Sequence, residues 1–320
     1  MEISLIGEVQ LTMMNSIPNR KIILDTDIGD DIDDSFALLL MLESHQFDVL
    51  GVTTVFRNTE KRAKMAKQLI KSLGYELEVY PGCNVPLISR IDDLIPQNIR
   101  DKEQLDEKGL YLIPQWEDSM AKEKISDKHA VDFIIEQVHK YPHEVTIVLV
   151  GPYTNMAMAI RKDPTIIPLV KEIRIMGGGF GLDWAEWNAF CDPEAAYIIF
   201  HSGIPLFMVG FNVTCQTGLS KEDIESLKNS NSPSIKLVYK AMQKWFAHYE
   251  FTVPVMHDPL TIASLLDDKI VGFEDYKMDV DLKNVRGKTI IDEEKGAFVH
   301  VSTSVDKERF FNLFKKILNV

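Results

Sequence analysis

Short apolar runs alternate with longer amphipathic stretches along most of the chain. Ile22–Leu24, Val49–Val55, Glu78–Tyr80, Val145–Val150, Ile173–Met176 and Leu206–Val209 read as strands, several of them as fully buried ones. Between them Ser35–Ser44, Thr59–Leu73, Asp127–Lys140, Asn155–Arg161 and Pro193–His201 carry helical spacing, and Gly74 suits the C′ position that closes the second. Strands alternating with helices imply parallel pairing through right-handed crossovers, with helices on both faces. The predicted fold is therefore α/β, an open and mostly parallel sheet in a single domain over residues 21–320, preceded by an N-terminal extension over 1–20. Two stretches depart from the alternation. Ser89–Trp116 is charged, holds proline and has no clear period, as a surface excursion or lid would. Lys221–Pro254 is largely helical, with Tyr239, Trp245, Phe246 and Tyr249 in its second half.

Composition narrows the partners more than the fold. The 320 residues are 45% hydrophobic and 26% charged, enough for a full core. A formal net charge of −13 leaves no basic surplus to neutralise phosphates, which argues against nucleic acid. No apolar run reaches transmembrane length, and Met1–Asn19 lacks the basic and apolar regions of a signal peptide. Cys83, Cys191 and Cys215 are far apart and form no CxxC, which suits thiols in a reducing cytosol. A cytoplasmic protein with no membrane partner is expected.

The chemistry concentrates at strand ends, where ligands of such sheets collect. Asp25-Thr-Asp-Ile-Gly-Asp-Asp-Ile-Asp-Asp34 packs six carboxylates into ten residues between the first strand and first helix. Crowded carboxylates repel, and a hard divalent cation with oxygen ligands relieves them. The spacing fails as an EF-hand loop at Gly29, Asp30 and Phe36. A solvated acidic loop and an aspartyl-phosphate phosphatase remain as rivals on this segment alone. Val150-Gly-Pro-Tyr-Thr-Asn155 turns from strand to helix, with Thr154 or Asn155 as cap and strand-tip carbonyls available to a metal. Met176-Gly-Gly-Gly179 permits close backbone approach but lacks dinucleotide spacing. Glu186 and Asn188, alternating in an extended segment, would face one side and suit sugar hydroxyls, whereas Asp192-Pro193-Glu194 reads as a helix start. His257-Asp258 precedes a helix and offers an acid and a further ligand.

These four segments, in this order, resemble the nucleoside hydrolases of the inosine–uridine-preferring type, over about Lys21 to Ala263 and onward, with Asn58 as a further match. The resemblance implies a Rossmann-like sheet, a bound Ca²⁺, a likeness to homo-oligomers (dimer or tetramer), and cleavage of ribonucleosides to base and ribose by a metal-bound water. Carried over, Asp27, Asp34, Asp258 and the Val150 carbonyl are the metal ligands, and Asp27 also takes the proton of the water. Asp33, Asn58, Glu186 and Asn188 match ribose-holding positions, and His257 matches one beside the leaving base, where Trp245 or Tyr249 could stack instead. The chain departs from the family pattern in places. The acid run is two residues longer, so Asp30 and Asp31 compete with Asp33 and Asp34. Arg57 stands where Gly is common. The span from Met176 to Glu186 is short, with Asp183 the nearest substitute for a ribose-binding Asn. Glu107–Leu110 lacks the His that often joins the base pocket. A non-catalytic nucleoside-binding protein is the reading these departures leave open.

Overall fold

Ile22, Ile23 and Leu24 are completely buried, yet alternate residues go to different cores, which is what a strand covered on both faces requires. The computed structural model describes residues 20–88, 105–106, 109–249 and 253–320. In chain order it contains β1 (Arg20–Thr26), α1 (Asp33–Glu43), β2 (Phe47–Thr54), α2 (Thr59–Ser72), β3 (Val79–Pro81), α3 (Ala130–Lys140), β4 (Val145–Leu149) and α4 (Thr154–Lys162). There follow β5 (Glu172–Met176), α5 (Trp187–Cys191), α6 (Pro193–Phe200), β6 (Leu206–Val209), α7 (Phe211–Thr214), α8 (Lys221–Asn229), α9 (Pro233–Tyr249) and α10 (His257–Leu266). The chain closes with β7 (Val271–Asp281), β8 (Lys288–Ile291), β9 (Ala297–Val305) and α11 (Lys307–Leu318).

The strands form one nine-stranded sheet in the order β3-β2-β1-β4-β5-β6-β9-β7-β8. Pairing is parallel from β3 through β9, and β7 runs antiparallel to both β9 and β8. On one face Ile22 and Leu24 belong to a buried cluster that includes Phe36, Trp245, Leu260 and Phe314 from α1, α9, α10 and α11. On the other, Ile23 belongs to a second cluster with Phe133, Tyr153 and Ile199. The α/β class and the mostly parallel sheet with helices on both faces are as the alternation of patterns predicts. The expected extension lies outside the described residues, as does most of the Ser89–Trp116 excursion.

The strand order places the site. From β1 the chain moves outward through β2 to β3, then returns to β4 on the other side of β1. The switch point between β1 and β4 opens a crevice at their carboxyl ends. Asp27 lies one residue past β1 and Val150 one residue past β4. Gly151 lets these tips meet, since a Cβ there would stand 2.8 Å from Asp27 Oδ1.

Candidate active site

A cavity of about 430 Å³ occupies this crevice, and seven of its lining residues are acids: Asp27, Asp30, Asp31, Asp33, Asp34, Glu186 and Asp258. Two helix N-termini bring the innermost acids together. Asp33 and Asp34 are the first residues of α1, and Asp258 is the second of α10. Each offers a carboxylate oxygen within 4.8 Å of the others. The positive ends of both helix dipoles favour negative charge there, and the Asp258 amide donates to Asp33 Oδ2 at 3.1 Å. Thr26 Oγ1 donates to Asp34 Oδ1. These bonds do not offset the crowding. Burial first, then the neighbouring carboxylates, push Asp33, Asp34 and Asp258 well above the usual carboxylate range. Burial likewise pushes Asp27 up to about 7, with Arg62 opposing the rise.

The remaining acids of the run have other employment. Asp25 is wholly buried, its Oδ1 accepting from Thr53 Oγ1 at 2.6 Å and Asn155 Nδ2 at 2.8 Å, and burial raises it to about 6. An aspartyl-phosphate mechanism would need this first Asp as an accessible nucleophile, so its burial removes the phosphatase rival. Asp30 pairs with Arg62 Nη2 at 2.8 Å, and Asp31 Oδ1 accepts from the Ile32 amide at 2.6 Å.

The opposite wall comes from the β5–α5 connection. Glu186 is the N-cap of α5, accepting from the amides of Asn188 and Gly178 at 3.0 and 2.9 Å, and burial raises it to about 7. Asn188 Nδ2 donates to the carbonyls of Val150 at 2.9 Å and Met176 at 3.1 Å. The segment is therefore a short helix rather than the expected extended stretch, because Glu186 satisfies its free N-terminal amides. Glu186 and Asn188 nevertheless both line the cavity. At its mouth Trp184 meets Phe211 edge-on at 4.9 Å, and Phe211 stacks on His257 at 5.5 Å. His257 Nδ1 bonds Thr214 Oγ1 at 2.7 Å, and burial pushes the imidazole down to about 4.

Of the residues singled out in the sequence, Asp27, Asp33, Asp34, Val150, Glu186, Asn188, His257 and Asp258 converge on one cavity, with Trp245 and Tyr249 in its wall. Asn58 stands apart. It caps α2, and its Nδ2 donates to Asp106 Oδ2 at 3.2 Å and the Tyr111 carbonyl at 3.3 Å, outside the cavity lining. Asp183 is not among the lining residues either. Thr154 and Asn155 do not cap α4: Thr154 Oγ1 bonds Asp192 at 2.6 Å, and Asn155 pins Asp25, the Thr54 carbonyl and the Cys83 amide. Buried strand tips needed those donors more than the helix did. Asp192, by contrast, caps α6 as its Asp-Pro sequence predicts.

Arg62, Tyr111, Trp184, Phe211 and His248 were not legible as site residues, and Arg57 was legible only as a departure from the family pattern. Arg62 is wholly buried and donates to the carbonyls of Phe56, Asp27 and Ile28 besides Asp30. Its one signal is position, since it shares a helical stripe with Met65, Ala66 and Leu69 rather than with the lysines of α2. Phe56 and Arg57 both have left-handed backbone, φ 71° and 57°, at the tip of β2. That conformation favours Gly at position 57, and here the amides of both residues are fixed to the Cys83 and Asn84 carbonyls at 2.8 and 2.6 Å. The Arg57 guanidinium lies 4.3 Å over the Tyr111 ring.

A mostly parallel sheet whose switch point gathers buried carboxylates beside an aromatic-rimmed cavity matches a known class. A family model described as inosine-uridine preferring nucleoside hydrolase covers residues 22–312, and the chain belongs to that family. Among curated relatives, uridine nucleosidase 1 of Arabidopsis thaliana is 33% identical over 86% of this chain and 82% of its own length. The pyrimidine-specific ribonucleoside hydrolase RihB of Escherichia coli is 30% identical over 93% and 96%. Among solved structures, a purine-preferring ribonucleoside hydrolase from Gardnerella vaginalis superposes with a TM-score of 0.80 at 30% identity, over 93% of this chain and 98% of that one. The plant nucleoside hydrolase PpNRh1 gives 0.79 at 30% identity over 94% and 99%.

Proposed function

We propose that the chain hydrolyses the N-glycosidic bond of ribonucleosides to free base and ribose, with Ca²⁺ held in the acidic cluster. The observation that carries this reading is the convergence of Asp33, Asp34 and Asp258 within 4.8 Å at the floor of a cavity walled by Glu186 and Asn188. The donor set fits a hard cation. It is all oxygen, it is buried, and its members repel one another in the absence of positive charge. We assign Asp34, Asp258, Asp27 and the Val150 carbonyl to the cation. Asp33 keeps one carboxylate oxygen for the sugar, its other being taken by the Asp258 amide. Asp30 and Asp31 are left out because Arg62 and the Ile32 amide occupy them. Ca²⁺ bound there would supply Lewis acidity toward a water.

The side chains supply the rest. Asp27, whose pKa burial pushes up to about 7, accepts the proton of the attacking water in its carboxylate form. Glu186 has both oxygens oriented by backbone amides, and Asn188 has its Nδ2 tied to two carbonyls, leaving its Oδ1 for a sugar hydroxyl. Such fixed groups hold the ribose for in-line attack at C1′. His257 enters the reaction neutral, so it serves as a hydrogen-bond partner of the departing base within the aromatic wall of Trp184 and Phe211. Asn58, committed to Asp106 and Tyr111, acts on the ribose only if it exchanges those partners.

Among the described residues no helix is long and apolar enough to cross a membrane. We further propose a cytoplasmic homo-oligomer, supported by three unpaired cysteines and the family likeness. The test of the activity is to incubate Ca²⁺-loaded protein with purine and pyrimidine ribonucleosides and separate the products. Free base and ribose in equal amounts, without added phosphate, are expected from at least one. Tight nucleoside binding with no base released would instead identify a binding protein.

A further inference from the structure

The acid loop between β1 and α1 is held by the side chains of Arg62 and Gln115 and by the Gln115 backbone amide. Five successive carbonyls, Asp27 to Asp31, each accept a hydrogen bond. Those of Asp27 and Ile28 take Arg62 Nη1, the second at 3.0 Å. That of Gly29 takes the Gln115 amide at 3.4 Å, and those of Asp30 and Asp31 take Gln115 Nε2 at 3.2 and 2.7 Å. Asp27, Asp30 and Asp31 meanwhile line the cavity.

Gln115 is 1% exposed, and its amide orientation is dictated by its surroundings. A flipped amide would set Oε1 against two carbonyls, and in the orientation found Oε1 has no hydrogen-bond partner among the described residues. Packing reinforces the contact. Gly29 has φ +119°, and a Cβ there would lie 2.4 Å from Ile113 Cγ2, so the Ile113–Gln115 stretch is seated on the loop itself. The same stretch continues back to Tyr111, whose ring lines the cavity.

We propose that Gln115 is a positioning residue for the cation loop, and that together with Arg62 it sets the loop's affinity for Ca²⁺; this rests on the cation reading above. The loop has no ladder of its own and carries acids that repel one another. External donors on consecutive carbonyls fix the backbone that joins Asp27 to Asp34, and so keep those two carboxylates from spreading apart. Groups that orient ligands in this way control metal affinity by about 10–100-fold.

The test compares variants of the full chain by Ca²⁺ calorimetry, with turnover as a second readout. Gln115→Met keeps the volume and removes both side-chain donor bonds. Its Ca²⁺ Kd is expected to rise about 10–100-fold, with kcat recovering toward wild type once Ca²⁺ saturates. Gln68→Met, at a residue that lines the same small cavity as Gln115 but touches no loop carbonyl, is expected to change Kd by less than about twofold. Gln115→Leu, of similar size and likewise without a donor, carries the test if the Met variant fails to fold, and its Kd is expected to rise by the same factor. An unchanged Kd in either variant, whatever its thermal midpoint in EDTA, overturns the proposal. Absence of Ca²⁺ binding by the wild-type chain overturns the cation reading itself, and is seen before any variant is made.

Discussion

Arg62→Met is the substitution whose effect on stability follows most directly from the structure. Arg62 is wholly buried, with bonds to the carbonyls of Phe56 at 2.8 Å, Ile28 at 3.0 Å and Asp27, and to the Asp30 carboxylate at 2.8 Å. Methionine fills much of the volume but returns none of these bonds. Removing one partner of a buried pair costs about 3–5 kcal/mol. The Asp30 side chain keeps 16% exposure and can be partly rehydrated, which favours the lower end, while three carbonyls left without donors favour the upper. A loss of about 3–5 kcal/mol is a large share of the roughly 5–15 kcal/mol that stabilises a typical domain. The thermal midpoint should fall by about 6–10 °C, at about 2 °C per kcal/mol for a long chain. The assay is denaturant unfolding followed by tryptophan fluorescence, in EDTA so that cation binding does not stabilise the native state. The double variant Arg62→Met/Asp30→Asn removes the stranded charge and should recover about 1–3 kcal/mol of the loss. A single variant within about 1 kcal/mol of wild type, or strictly additive effects in the double, would refute the clamp.

The other expectations concern the acids. Asp27→Asn should lower turnover by about 10³-fold or more with the circular dichroism spectrum unchanged; near-normal turnover would remove Asp27 from the chemistry. Asp34→Asn should abolish Ca²⁺ binding in calorimetry, whereas Asp33→Asn should chiefly raise KM. Equal loss of Ca²⁺ in both would move Asp33 from the sugar to the cation. Burial raises Asp31 to about 6 and Asp27 and Glu186 to about 7, so the folded metal-free chain holds protons that the unfolded chain gives up near pH 4. Native stability from these groups is present in acid and is lost as pH rises through 6 and 7. Thermal midpoints in EDTA should therefore fall between about pH 4 and 7, and Ca²⁺ should oppose the fall while releasing protons. A flat or rising EDTA profile would contradict the crowding.

The central strands were legible because they are buried on both faces and read as unbroken apolar runs, Ile22–Leu24 and Val145–Leu149 above all. The antiparallel end of the sheet was not. β7 mixes Glu274, Asp275, Lys277 and Asp279 among its apolar residues because most of it is only half-buried, so neither strand nor helix period emerges. In the site, residue types in a crowded order were enough to single out the acids, Glu186 and Asn188. Their partners were not legible, since each depends on a contact distant in sequence. Arg62 reaches back to Asp30 in the β1–α1 loop, Asp33 bonds the Asp258 amide 225 residues on, and the Asn58 amide is captured by Asp106 and Tyr111. The ambiguity among Asp30, Asp31, Asp33 and Asp34 was of this kind. Spacing alone treats them alike, whereas Arg62 and the α1 and α10 N-termini distinguish them.

The most direct test of a cation-dependent ribonucleoside hydrolase is free-base release by chelator-stripped protein as Ca²⁺ is titrated back. Release should stand at baseline in the stripped chain and rise to a plateau at one Ca²⁺ per chain. Full release before any Ca²⁺ is returned, or none at any concentration, would contradict the assignment of the acidic cluster.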